Sequence, residues 1–227
     1  MIAENLAHVR KSIAETCRAS GRDPESVRLI AVSKTFGASS IREAQQAGQQ
    51  DFGENYAQEL REKKGLIIDS PVRWHFIGHL QSNKVKYIIE AVHTVHTVDS
   101  VGLGEEIQKR AARLDRFVDI LIEVHTTHEQ TKSGIRQEEA IEFAGKLGAF
   151  PNLRLRGLMT MGPLAEDPET ARPSYRILRE LLERGKSAGL AWSELSMGMT
   201  HDYRVAIQEG ATMVRVGTGI FGERISG

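Results

Sequence analysis

Apolar and polar residues alternate along this chain with two different periods. Over residues 2 to 20, apolar positions recur every third or fourth residue, which is typical of one face of an amphipathic helix, and Gly21 can end that helix. Beyond it, short runs rich in Val, Ile, Leu or Phe alternate with helical patterns. Eight such runs are found, at residues 29–33, 51–54, 74–78, 94–98, 118–124, 155–161, 194–198 and 213–217.

Strict alternation of strands and helices predicts a parallel sheet with right-handed crossovers. Eight units in 227 residues favour a closed (β/α)8 barrel, the TIM-barrel architecture, with an extra amino-terminal helix. A doubly wound open sheet is the rival architecture. No linker or low-complexity tract interrupts the alternation, so residues 1–227 are expected to form a single domain.

Composition limits the classes of partner. The chain has 30 basic and 30 acidic residues, so it lacks the excess positive charge that nonspecific nucleic-acid binding requires. Its single cysteine, Cys17, excludes an internal disulfide and suits a reducing compartment. The amino terminus lacks the apolar core of a signal peptide, and no stretch approaches the roughly 20 apolar residues of a membrane span. We expect a cytoplasmic protein that binds neither nucleic acid nor membrane.

The glycine-rich segment VRVGTGIFGER, residues 214–224, has the spacing of a dinucleotide-binding fingerprint. That fingerprint requires a further strand and an acidic residue about 20 positions on, and too little chain follows Gly222 for either. In (β/α)8 barrels, the loops after the seventh and eighth strands commonly bind phosphate, using backbone N–H groups and a short helix. A phosphate site at Gly217 and Thr218 is therefore predicted, with Ser196 nearby; a plain tight turn is the alternative.

Two basic residues lie on neighbouring strands of the predicted barrel. Side chains alternate along a strand, so if Ile30 and Val32 face the interior, Lys34 points into the mouth. Desolvation and a nearby cation lower the pKa of an amine, and a neutral amine is what Schiff-base formation requires. A solvated lysine at a strand end is the simpler alternative. Arg215 lies on the last strand, next to the first, and an inward arginine needs an acceptor.

A ligand with an aldehyde, a ring nitrogen and a phosphate would match this lysine, arginine and glycine-rich turn together. Pyridoxal 5'-phosphate has these groups. The motifs AVSKT, FGENY, WHFIGHLQSNK, KSG, RGLMTM, SMGMTHD and VRVGTGIFG also occur in that order along the chain. In this order they closely resemble the pyridoxal phosphate homeostasis protein family, whose fold is like the amino-terminal barrel of alanine racemase.

The resemblance implies a set of cofactor-binding residues. Lys34 would carry the cofactor as an internal aldimine, and Arg215 would contact the pyridine nitrogen. Ser196, Gly217 and Thr218 would contact the phosphate. The same resemblance places three further residues around the ring, namely Asn55, His75 and Met197.

The resemblance also implies a function in vitamin B6 homeostasis. An arginine beside the pyridine nitrogen keeps that atom unprotonated and makes the ring a poorer electron sink. Racemases of this fold use a tyrosine from a second domain, and this chain ends just after the eighth strand. We therefore expect a protein that holds the cofactor and hands it to apo-enzymes, with little or no turnover. We also expect a monomer and no metal site. A racemase-like enzyme is the first alternative, and a Schiff-base aldolase acting on a sugar phosphate, without a cofactor, is the second.

Overall fold

The computed structural model describes residues 1–67, 71–127 and 133–223. Strands and helices alternate along these residues. The strands are β1 (Arg28–Val32), β2 (Asp51–Glu54), β3 (Arg73–Phe76), β4 (Val92–Val98), β5 (Val118–His125), β6 (Ile135–Arg136), β7 (Leu153–Met159), β8 (Glu194–Ser196) and β9 (Met213–Val216). The helices are α1 (Ile2–Ala19), α2 (Ala38–Gln46), α3 (Ala57–Leu66), α4 (Val85–Ile88), α5 (Val101–Arg113), α6 (Ala140–Leu147), α7 (Arg172–Ser187), α8 (Tyr203–Gln208) and α9 (Thr218–Phe221).

Eight of the strands close into a parallel barrel. Their order is β4-β3-β2-β1-β9-β8-β7-β5, and pairing of β4 with β5 closes the ring. Strand β9 pairs with β1 over four residues, so the last strand lies beside the first. The predicted (β/α)8 barrel is confirmed. The two-residue strand β6, which pairs with the end of β5, was not predicted.

Alternating side chains divide the barrel strands between two cores. One small cluster, formed by Ile30, Leu121, Met159 and Met213, fills part of the barrel interior. The residues of opposite parity belong to the larger core between the barrel and its helices. Val214 and Val216 are in that outer core, so Arg215 faces the interior with Met213.

Helix α1 completes the outer ring of helices. Its buried face includes Leu6, Val9 and Ile13, and it packs against α2, α8 and α9. Only the four-residue helix α9 follows the last strand among the described residues, so α1 occupies the place that a full eighth helix would take. Burying each of these side chains contributes about 1.5–3 kcal/mol.

No helix in the three described ranges combines the length and apolar composition that a membrane span requires.

Candidate functional site

A pocket of about 230 Å3 opens at the mouth of the barrel, where the carboxyl ends of the strands meet. Five residues that the sequence assigned to the site line it, namely Lys34, Asn55, Arg215, Gly217 and Thr218. They come from the ends of β1, β2 and β9, which are neighbours in the sheet. Ligands in barrels of this type bind at this end of the strands.

Lys34 lies in a sharp turn directly after β1. The N–H of Phe36 donates to the carbonyl of Ser33 at 3.0 Å, so Lys34 and Thr35 are the two central residues of this turn. Thr35 has a φ of +70°, in the left-handed region that β-branched residues rarely occupy. Strained backbone of this kind is frequent at functional sites.

Arg215 is buried, and its guanidinium bonds only to neutral acceptors among the described residues. Nη1 donates to Oγ of Ser196 at 2.7 Å, and Nη2 donates to the carbonyl of Thr160 at 2.9 Å. None of the described carboxylates lies within 4.0 Å of it, and burial lowers its pKa. Since a guanidinium has five N–H donors, Arg215 retains donors for an acceptor in the pocket.

The glycine-rich turn presents hydroxyl and backbone groups to the same pocket. The N–H of Gly217 donates to Oγ1 of Thr200 at 3.3 Å, and the Thr200 and Thr218 hydroxyls lie 3.3 Å apart. Asp202 fixes the Thr200 loop, because its Oδ1 accepts from the N–H of Met199 at 2.6 Å and its Oδ2 accepts from the Tyr175 hydroxyl at 2.7 Å. The loops after β8 and β9 therefore form one polar surface.

Asn55 is held close to the end of β3. A Cβ added to Gly78 would lie 2.3 Å from the carbonyl oxygen of Asn55, so only glycine permits this approach. Oδ1 of Asn55 is buried and has no hydrogen-bond partner among the described residues. A buried acceptor without a partner is costly, which favours a ligand or water that donates to it.

The structure places the other three predicted site residues deeper. His75 and Ser196 are fully buried inside the barrel and are not part of the pocket lining. Ser196 accepts from Arg215, so it contacts the pocket through that residue. Met197 lies in the outer hydrophobic core, on the opposite side of the β8 end from Ser196. The predicted contacts of His75, Ser196 and Met197 with a ligand stay predictions.

Several pocket residues were not assigned from the sequence. Ile77, Met161, Leu164 and Met199 contribute apolar surface to the pocket. Val32 also lines it, as do Thr200 and His201, which lie within the SMGMTHD motif. Thr200 and His201 lie in the loop that follows a barrel strand, where ligand-binding residues of such barrels lie, and this position could have indicated them from the sequence. Lys132 of the KSG motif lies outside the described residues.

Two basic side chains are among the described residues that line the pocket. Lys34 and Arg215 supply positive charge, and no carboxylate is among its described lining residues. Positive potential in a small cleft favours an anionic ligand. An amine, a guanidinium and a pair of hydroxyls thus face one cavity that also has apolar surface.

Comparison with known proteins agrees with this arrangement. The sequence model of the alanine racemase N-terminal domain matches residues 4–225. Proteins named pyridoxal phosphate homeostasis protein from Aquifex aeolicus and Pseudomonas aeruginosa are both 43% identical to the chain; the alignments cover 97% of the chain and 97% of the first protein, and 98% of the chain and 96% of the second. The chain belongs to the pyridoxal phosphate homeostasis protein family. The predicted family membership is therefore confirmed.

Solved structures place the family on the same barrel. PipY of Synechococcus elongatus, solved with PLP bound, is 35% identical and superposes with a TM-score of 0.84 over 98% of this chain and 100% of PipY. Alanine racemase of Clostridium difficile superposes with a TM-score of 0.76, over 98% of this chain and 58% of the racemase, at 16% identity. The likeness to the racemase concerns the fold alone.

Proposed function

We propose that this chain binds pyridoxal 5'-phosphate at the mouth of the barrel, covalently through Lys34, and serves in the homeostasis of this cofactor. One observation carries the proposal: Lys34, Arg215 and the Gly217–Thr218 turn line the same pocket. The names of the relatives at 43% identity and the PLP-bound PipY structure support it.

The residues of the pocket fit the chemical groups of this cofactor. Thr200 and Thr218 offer hydroxyl donors, and the turn offers backbone N–H groups, for a phosphate. Arg215 offers a donor for a ring nitrogen, and Ile77 with Met199 offers apolar surface for a ring face. Lys34 supplies the amine. Its condensation with an aldehyde forms a carbon–nitrogen double bond and releases one water.

Arg215 should also limit any catalytic activity of the bound cofactor. When bound, this cofactor supplies an electron sink that stabilises carbanions. A permanent cation beside the ring nitrogen opposes its protonation, which weakens that sink. The described lining includes no tyrosine or carboxylate that could act as a second base on a bound substrate. We propose that the protein holds the cofactor for transfer to apo-enzymes, with little or no catalysis.

Reduction with borohydride tests the covalent site. Purified protein incubated with pyridoxal 5'-phosphate should absorb in the visible range, and reduction should remove this absorbance and add the cofactor mass to the peptide containing Lys34. The Lys34→Ala variant should lack the adduct, while Lys64→Ala, at a partly exposed lysine outside the pocket, should retain it. An adduct confined to another lysine would contradict the proposal.

Activity assays separate the carrier from the alternatives. A racemase would convert amino acid enantiomers at an ordinary enzymatic rate of about 1 per second or more. An aldolase would form a borohydride-trapped adduct with a sugar phosphate on Lys34 and none with pyridoxal 5'-phosphate. Either result would replace the proposed function.

A further inference from the structure

A continuous chain of hydrogen bonds crosses the barrel interior to Arg215. Nη1 of Arg215 lies 2.7 Å from Oγ of Ser196, which lies 2.8 Å from Nδ1 of His96. Nε2 of His96 lies 2.9 Å from Nδ1 of His75, and Nε2 of His75 lies 3.0 Å from Oδ1 of Asp51. The three central residues are fully buried and come from β8, β4 and β3.

The far end of this chain lies at the opposite face of the barrel. Asp51 is the first residue of β2, and Arg73, the first of β3, contacts its carboxylate through Nε at 2.8 Å and Nη2 at 2.6 Å. Both residues line a separate cavity of about 300 Å3. The chain therefore connects the two ends of the barrel.

The two end groups, the Arg215 guanidinium and the Asp51 carboxylate, fix the direction of every hydrogen bond between them. Asp51 as a carboxylate only accepts, so Nε2 of His75 must carry a proton. A neutral His75 then accepts at Nδ1, so His96 donates from its Nε2 and accepts at its Nδ1. Ser196 donates to His96 and accepts from Arg215. All four bonds therefore point from the guanidinium towards the carboxylate.

The protonation states that this requires agree with the surroundings. Burial opposes ionisation of Asp51, but hydrogen bonds from Arg73 and His75 outweigh it and hold the pKa of the carboxyl well below its usual range. Burial lowers the pKa of both His75 and His96, which favours neutral rings. Bonds aligned between a buried cation and a buried anion strengthen one another.

We propose that Asp51, His75 and His96 are positioning residues that hold the Arg215 guanidinium, through Ser196, in the orientation that faces the ligand pocket. The other hydrogen bond of the guanidinium, from Nη2 to the carbonyl of Thr160, is a single contact and does not by itself fix the orientation of the group. The hydrogen-bond chain from Asp51 through His75, His96 and Ser196, called the relay below, supplies the second contact that orients the guanidinium. The part of this inference that concerns cofactor affinity rests on the proposed function, and the part that concerns proton positions does not.

Ring nitrogen NMR tests the proton positions in the protein without added cofactor. In a sample labelled with 15N-histidine, His75 and His96 should both be neutral and protonated at Nε2 alone between pH 6 and 8. Their signals are assigned by loss in the single variants His75→Asn and His96→Gln. A proton on Nδ1 of either ring would overturn the relay.

Cofactor titration tests the positioning role. Leucine at position 96 cannot donate or accept, so His96→Leu should weaken the equilibrium affinity for pyridoxal 5'-phosphate at least about tenfold, the effect of one lost hydrogen bond to a charged group. Glutamine retains one donor and one acceptor, so His96→Gln should stay within about threefold of the unsubstituted protein.

His93→Leu is the matched control, because the His93 ring lies 6.0 Å from that of His75 but takes no part in the chain of bonds. Unchanged affinity in His96→Leu, or an equal loss in His96→Leu and His96→Gln, would overturn the positioning role. If the unsubstituted protein fails to bind pyridoxal 5'-phosphate at all, the proposed function fails, and the NMR result still decides the relay. The NMR measurement also decides it if His96→Leu does not fold.

Discussion

Thr35 donates its backbone N–H to Oε2 of Glu59 across 2.8 Å, and this bond holds a threonine with a φ of +70° in the turn that presents Lys34. Glycine adopts this conformation without the steric cost of a Cβ, which is about 1–3 kcal/mol for a strained residue. Thr35 is exposed, so little packing is lost by truncation.

Replacing Thr35 with glycine is therefore expected to stabilise the protein by about 1 kcal/mol, after the greater entropy of glycine in the unfolded chain is subtracted. Urea unfolding measures this change in the free energy of unfolding. Thr35→Ala is the matched control, since it keeps the Cβ and should gain no more than about 0.5 kcal/mol. A loss of stability in Thr35→Gly would show that the turn is not strained.

Lys63 holds the carboxylate that accepts from Thr35. Its Nζ is buried and lies 2.8 Å from Glu59, 2.7 Å from Glu54 and 2.8 Å from the carbonyl of Ser33. Lys63→Met would leave two carboxylates near one another without their cation. Removing one partner of a buried ion pair lowers the free energy of unfolding by about 3–5 kcal/mol.

The adjacent lysine supplies the control for this change. Lys64 forms a surface pair with Glu90, and exposed pairs of this kind contribute about 0–1 kcal/mol. Urea unfolding of Lys63→Met and Lys64→Met should therefore give clearly different losses in the free energy of unfolding. Equal losses would mean that the buried network contributes no more than a surface pair.

Glu54 should make stability depend on pH. Burial raises the pKa of its carboxyl to about 7 despite the nearby Lys63, and Oε2 has no hydrogen-bond partner among the described residues. The folded state therefore binds a proton more tightly than the unfolded state, in which the pKa is near 4.5. Protonated Glu54 thus contributes to the free energy of unfolding; this contribution is fully present below pH 4.5 and is lost as pH rises through about 7.

Glu54→Gln removes this titration. In the unsubstituted protein the free energy of unfolding should fall between pH 4.5 and 7 by roughly 3 kcal/mol because of Glu54, at 1.36 kcal/mol for each pKa unit. Glu54→Gln should lack this part of the fall. Glu90→Gln, which changes an exposed carboxylate, is the control. It should leave the dependence of the free energy of unfolding on pH unchanged between pH 4.5 and 7. Identical pH profiles for Glu54→Gln and the unsubstituted protein would refute a raised pKa at this site.

Alternation along strands narrowed the possible orientations of two pocket residues. Lys34 shares parity with Ile30, so it was expected in the mouth if Ile30 faced the interior. Arg215 shares parity with Met213, and alternation left open whether that pair or Val214 and Val216 faced inward. The same rule separates Ser196 from Met197, because consecutive strand residues face opposite sides. The family resemblance placed both at the ligand, and those contacts stay predictions; in the structure Ser196 lies inside the barrel and Met197 in the outer core.

The relay behind Arg215 could not be predicted in the same way. His96 and Ser196 are 100 residues apart in the chain, and their contact depends on which strands face each other across the barrel. Alternation gives the face of a side chain but not its height in the interior, which depends on strand stagger. The two-residue strand β6 was missed because so short a run has no detectable period.

The hydroxyl of Thr218 should distinguish a phosphorylated ligand from its dephosphorylated form. Thr218→Val keeps the side-chain shape and removes the donor, so the affinity for pyridoxal 5'-phosphate should fall roughly tenfold, as expected for one hydrogen bond to a charged group. Affinity for pyridoxal, which lacks the phosphate, should not change. Absorbance titration of both compounds measures the two dissociation constants, and Thr218→Ser, which keeps the hydroxyl, should behave like the unsubstituted protein. If Thr218→Val weakened both ligands equally, the turn after β9 would contribute to the pocket by shape, and the phosphate would lie elsewhere.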